Sequence, residues 1–234
     1  MLFWATSLHW LATLLAYFLM GCVGTSIGYH RLFGHKSFVP PRWLWWTCLC
    51  FGNLAGAGSS ISWVAVHRAH HHHSNKNSAD PHSPWHHKWY HVLWFNMFEK
   101  VNMRYVKDIA REPAHVWWHR LYFVVHFMLL VILLLISWKL AICAYLAPMA
   151  LVWSMGSALN FVNHKWGYRN HNTADHSTNN WFYAIFYWGE GWHNNHHANP
   201  KKSSFGEYWW EIDVSGVLIA HLRKDIDKTG VANH

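Results

Sequence analysis

The sequence predicts an all-α membrane protein. A single domain over residues 1–234 would hold about three transmembrane helices, with interfacial amphipathic helices and a cap on one side. Three observations predict this. Charged residues make only 13% of the chain against 52% apolar, about half the charge of an ordinary soluble domain. The apolar residues run in stretches long enough to cross a hydrocarbon core of about 30 Å. Finally, many of the 23 histidines are gathered in short clusters near the ends of those stretches.

The first stretch, residues 2–29, carries no acidic or basic side chain except His9. It is too long for a signal-peptide core and lacks a basic leader, so it reads as a span. Residues 121–138 and 140–162 are two more, separated by a short turn at Lys139. Residues 43–66 are apolar but broken by Gly52, Asn53, Gly56, Gly58, Ser59, Ser60 and Ser62. They read as interfacial or re-entrant. Residues 181–188 are too short to cross and read as an interfacial aromatic helix. The polar residues 74–120 read as an exposed loop with helical pieces. Cys22, Cys48, Cys50 and Cys143 all lie in apolar stretches without the spacing of a disulfide or zinc framework.

Topology follows from the histidines. If His30, His35, the run 67–73, His164 and the run 193–197 serve one site, they share one side of the membrane. Residues 43–66 must then dip and return. With three crossings, every Lys and Arg except Lys139 falls on the histidine side, which makes that side cytoplasmic. The net charge of +8 is explained by this asymmetry, and nucleic acid is not expected as a partner.

Spacing narrows the chemistry. On a helix, His67, His70 and His71 fall at about 0°, 300° and 40°, while His72 and His73 point elsewhere. His193, His196 and His197 repeat the pattern. Asn160 and His164 sit one above the other at the inner end of the third span. His30 and His35 are about 140° apart on a straight helix, and Gly34 would end the helix and let His35 turn back. Nine imidazoles and one amide are too many for one metal and suit two. Imidazole serves Fe, Zn, Cu and Ni, and polar groups beside a bilayer are costly and usually functional. A carboxylate-rich two-metal bundle is a competing pattern. Glu112–His115 and Glu190–His193 have its spacing, but none of the three spans contains a Glu. A histidine-rich transport protein would want its ligands near the bilayer midplane.

The motifs "GYHRLFGH", "HRAHH", "NFVNH" and "GEGWHNNHH" resemble those of the membrane fatty-acyl desaturases, in particular the Δ9 group of stearoyl-CoA and bacterial acyl-lipid enzymes. The resemblance runs from about Met20 to Asp213. It implies a di-iron centre in the cytoplasmic cap and O2-dependent insertion of a cis double bond into a saturated acyl chain. A related hydroxylase is the alternative. It assigns His30, His35, His67, His70, His71, His164, His193, His196 and His197 as metal ligands, with Asn160 acting through water and no catalytic residue beyond the ligands. Asp80 and Glu190 are expected to orient ligand rings. Phe18, Cys22, Trp63 and Gly156 are expected along a substrate tunnel, although core packing explains Phe18 and Cys22 equally well. Arg31 and Arg68 have two equal readings: pairing with loop carboxylates such as Asp80 or Asp175, or plain positive-inside charge. The family usually has four spans, and this chain begins at the counterpart of the second, which places its first residues outside. Animal acyl-CoA enzymes carry an Arg-Asp pair where this chain has Ala65 and Val66, which favours a lipid-linked over a CoA-linked chain. No haem or flavin motif is present, so electrons would come from ferredoxin or cytochrome b5 docking near Lys201, Lys202, Arg223 and Lys224.

Overall fold

The computed structural model describes residues 2–74, 80, 82–95, 100 and 102–223. Lys224 lies outside them. Three helical rods are long and apolar enough to cross a membrane: Ser7–Gly34, Pro113–Ile136 and Trp138–Asn163.

The first rod is α1 (Leu2–Tyr17) running without a break into a wider, π-wound segment, Phe18–Gly34. π-winding recurs at functional sites, and this segment delivers His30. Its glycines bring a neighbour in close: a Cβ on Gly24 would fall 2.4 Å from the Gly52 nitrogen. That neighbour is α2 (Arg42–Leu54), which folds back through a short turn into α3 (Ser60–His73). The α2–α3 pair is therefore a hairpin with both outer ends on the histidine side. Ser59 caps α3, its hydroxyl accepting from the Ser62 N–H.

The second rod, α4 (Pro113–Ile136), starts eight residues before the apolar run that marks it in the sequence. Pro113 occupies the first turn, where its missing N–H costs nothing, and His115, His119 and Arg120 mask the early turns from a hydropathy reading. Most of α4's apolar side chains face outward, among them Phe123, Phe127, Leu135 and Ile136, as a lipid-facing helix requires. The break before the third rod falls at Ser137 rather than Lys139. Ser137 is extended at φ −168°, and its N–H closes α4 onto the Leu133 carbonyl at 2.8 Å. The chain then re-enters as α5 (Trp138–Ala141), a π-wound turn (Ile142–Leu146) and α6 (Ala147–Asn163).

Three short helices finish the cap: α7 (Trp181–Phe186), α8 (His193–Ala198) and α9 (Val214–Leu222). α7 leaves Trp181, Phe182, Ile185 and Phe186 exposed, the pattern of a helix lying in a membrane interface. One apolar core joins the π-wound segment, α2, α3 and α9 through Ile27, Leu49, Val64 and Ile219. A second joins Met20, Tyr145, Val152 and Tyr187.

Candidate metal centre

The nine histidines singled out by spacing converge into two groups. His30, His35, His67, His71 and His196 form one, and His70, His164, His193 and His197 the other, with one nitrogen from each member lying within 4.8 Å of the rest of its group. In α3 the i, i+4 pair His67 and His71 enters the first group while His70, one step round the helix, enters the second. α8 does the reverse: His193 and His197 enter the second group and His196 the first. His72 is exposed and His73 shares a hydrogen bond with Tyr105 at 3.2 Å. Neither belongs to a group.

Local structure explains how His35 reaches the first group. Its N–H closes the helix on the His30 carbonyl at 3.1 Å, and Lys36 then turns the chain with a left-handed φ of 54°. Gly34 gives room beside it, because a Cβ there would stand 3.3 Å from the His67 ring.

The nitrogen separations suit metal ligation. Nε2 atoms approach at 2.7 Å for His35–His67, 2.9 Å for His30–His196, 3.0 Å for His71–His196 and 3.1 Å for His164–His193. Two imidazoles on a metal at about 2.0–2.1 Å, at right angles, stand about 2.9 Å apart. The Nε2 atoms of His70 and His197 are buried and find no hydrogen-bond partner, a costly state unless a ligand takes the lone pair. Burial holds His35, His67, His71, His164, His193 and His196 well below the ordinary histidine pKa, and neighbouring imidazoles push the same way. The rings are therefore neutral and ready to bind a cation.

Carboxylates hold the far side of the rings. His70 Nδ1 meets Asp80 at 2.7 Å, His30 Nδ1 meets Glu190 at 2.5 Å and His197 Nδ1 meets Asp175 at 2.5 Å. Each fixes a proton on Nδ1 and turns the Nε2 lone pair toward its group. Burial alone would raise Glu190; the neighbouring His30 ring and Arg31 guanidinium outweigh it and bring the carboxyl down to about 2. Asp175 is likewise held well below the usual carboxylate range, chiefly by the His197 hydrogen bond against the opposing effect of burial.

Both arginines pair with carboxylates, but not with Asp80 or Asp175. Arg31 is fully buried and pairs with Glu190 and, through Nη2, with both Asp213 oxygens at 3.1 Å, while lying over the Phe205 ring at 3.8 Å. Arg68 binds both oxygens of Asp108 and the carbonyls of Phe33, Gly34 and Tyr105. Asp80 and Asp175 are engaged with the His70 and His197 rings instead. Glu112 precedes α4 without capping it, and His115 turns to Ser60 at 2.7 Å, so the first Glu-x-x-His pair stands apart from both groups.

A cavity opens beside the histidines, with about 800 Å³ of unfilled space counting its mouth. His30, His67 and His193 border it at one end, and Trp63, Val66, Val152, Gly156 and Asn160 continue its wall. Trp63 stacks on the His67 ring at 4.7 Å. Phe18 and Cys22 stand outside the lining, Phe18 edge-on to Trp188 and Cys22 fully buried beside Ser215. His82, not singled out by spacing, also lines the cavity, its ring 5.2 Å from that of His70.

Fold and site together define a membrane protein with two buried histidine groups, suited to holding metal, beside a cavity. The comparisons with known proteins agree. The fatty acid desaturase family matches residues 8–209. The chain is 35% identical to the sn-2 palmitoyl-lipid 9-desaturase of Nostoc sp. (strain 36), over 89% of this chain and 73% of that one. It is 34% identical to the sn-1 stearoyl-lipid 9-desaturase of Anabaena variabilis, over 90% and 79%. It is also 36% identical to an acyl-CoA C20 Delta5-desaturase of Anemone leveillei, over 88% and 68%. The chain belongs to the fatty acid desaturase family and is a membrane desaturase.

Proposed function

We propose that this desaturase uses two iron ions and O2 to insert a cis double bond at the Δ9 position of a saturated acyl chain carried on a membrane glycerolipid. The observation that carries the reading is the pair of histidine groups, with the unpartnered Nε2 atoms of His70 and His197, beside the cavity. His30, His35, His67, His71 and His196 would hold one iron, and His70, His164, His193 and His197 the other, with Asn160 adding a contact through water. Bound iron would supply the oxidising power that removes two hydrogens from adjacent methylenes. The balance is one O2, two electrons and two protons in, one double bond and two waters out. The chain's own residues do the rest. Asp80, Asp175 and Glu190 keep Nδ1 protonated and the rings aimed. Trp63, Val66 and Gly156 hold the chain against the centre and exclude water.

Support for a lipid carrier comes from Ala65 and Val66, both buried, at the positions where acyl-CoA enzymes would place charge. A CoA head would call for guanidinium or ammonium contacts to its phosphates. The basic residues of the histidine side support a cytoplasmic centre. Exposed Lys201, Lys202 and Arg223 offer a docking face for an acidic one-electron carrier such as ferredoxin or cytochrome b5. The test supplies iron-loaded enzyme and donor with labelled acyl-lipid or labelled acyl-CoA and analyses products by mass. Monounsaturated lipid without added oxygen is expected. A hydroxylated chain, or rapid desaturation of the CoA ester with none of the lipid, defeats the reading.

A further inference from the structure

The α4 helix faces lipid over most of its length yet carries His115, His119, Tyr122 and His126, spaced four, three and four apart on one face. All four engage the α2–α3 hairpin. His115 and His119 share hydrogen bonds with the Ser60 and Ser59 hydroxyls, both at 2.7 Å. The Gly58 N–H donates to the Tyr122 hydroxyl at 3.1 Å, and His126 Nε2–H donates to the Asn53 carbonyl at 3.0 Å. Tyr145 donates in turn to His126 Nδ1. From the other side, the Tyr29 hydroxyl donates to the Gly58 carbonyl at 3.2 Å.

The hairpin tip is deep. His126 is 13 residues along α4 from Pro113, about 20 Å at 1.5 Å per residue. Gly56 abuts Met149, 15 positions before His164 and about 22 Å from it along the α6 axis. The tip cannot be helical, with φ of 77° at Gly56 and 90° at Gly58. Irregular backbone at such depth persists only where protein groups satisfy it. Ala57 at this tip lines the cavity together with Val152 and Trp153 of α6, remote from the histidines.

We propose that His119, Tyr122 and His126 are positioning residues for the acyl chain: they clamp the 55–60 turn as the floor of the cavity and so set the length of chain it accepts. This rests on the acyl-lipid reading above. Loosening the clamp lowers the floor and favours longer chains, whereas filling it favours shorter ones.

The experiment compares 18-carbon with 16-carbon saturated lipids in two readouts: equilibrium binding to the metal-free protein, and kcat/KM of the iron-loaded enzyme. Tyr122→Phe and His126→Phe should raise the 18-to-16 ratio at least about threefold, since one methylene in an apolar pocket commonly carries tenfold or more. His126→Gln, which keeps a donor for the Asn53 carbonyl, should restore it. Ala57→Val should lower the ratio by a similar factor. Iron content should stay at the wild-type level in all four. A purely structural clamp would change yield or melting temperature without moving the ratio in opposite directions. If His126→Phe does not accumulate, Tyr122→Phe and Ala57→Val decide. Unshifted ratios in an enzyme that desaturates lipids overturn this inference alone. Shifted binding ratios without desaturation overturn the activity and leave the floor intact. A protein that neither binds nor converts acyl lipids overturns both.

Discussion

Replacing Glu190 by Gln tests the logic of the centre at one atom. One carboxylate oxygen meets His30 Nδ1 at 2.5 Å, and the other meets Arg31 Nη1 at 2.5 Å and the Ser26 hydroxyl. An amide has only one oxygen. If its NH2 faces Arg31, two donors collide beside a buried guanidinium. If its NH2 faces His30, the ring must accept at Nδ1, its proton moves to Nε2, and the lone pair is lost to the first histidine group. Either arrangement costs. Removing one partner of a buried ion pair typically destabilises by about 3–5 kcal/mol, and Asp213 remains to offset part of it. Loss of a ring-orienting carboxylate typically weakens metal binding about 10–100-fold. The assay is iron retained against a graded chelator, read beside the melting temperature of the metal-free protein. Both should fall. Asp80→Asn, which replaces a carboxylate bonded to the His70 ring and the His82 N–H, should weaken iron binding with a smaller loss of metal-free stability. Wild-type chelator resistance and wild-type melting in Glu190→Gln would refute the reasoning.

Three further outcomes are expected. His70→Ala should lose iron and all double-bond formation, while His72→Ala should keep both; the reverse pattern would sink the helical-face assignment. The metal-free protein should lose stability as pH falls below about 6.5, the unfolded histidine value. Buried rings such as His67, or His82 whose pKa burial lowers to about 3, bind fewer protons folded than unfolded. Their stabilisation is thus complete above that value and lost on acidification, by up to about 1.4 kcal/mol per pH unit for each ring. A flat melting temperature from pH 7 to pH 5 would contradict this. Turnover with limiting donor should fall as salt rises, because exposed charges such as Lys201 and Lys202 are screened over about 8–10 Å near physiological ionic strength; salt-independent turnover would count against basic docking.

Much of this was legible in the sequence because it rests on periodicity. Three spans follow from apolar run length, the faces of His67, His70 and His71 and of His193, His196 and His197 from 3.6-residue repeats, and the returning hairpin from requiring the histidines to share one side. What periodicity cannot reach is contact between distant segments. Asp175 belongs to a loop 22 residues from His197, and no spacing marks it as a ring-orienting group. Arg31 sits in a histidine motif, yet its partners Glu190 and Asp213 come from the far end of the chain. The start of α4 was hidden for a different reason. Its early turns are polar because they grip the hairpin, so hydropathy placed the helix eight residues late. His82 reaches the cavity from an irregular stretch, where no repeat gives its direction.

The crossed assignment of α3 and α8 has a consequence for assembly. Each helix contributes two rings to one histidine group and one ring to the other, in opposite senses. Neither helix owns a histidine group, and neither group is complete while the two helices are apart. α8 lies more than a hundred residues downstream of α3, so the earlier helix waits with three rings and no finished pocket until the last part of the chain arrives. Before α8 arrives, four of the five rings of the first group are in the chain but only two of the four rings of the second. Completion of the second group in particular is thereby tied to completion of the fold, and a sliding motion between the two helices would disturb both groups at once.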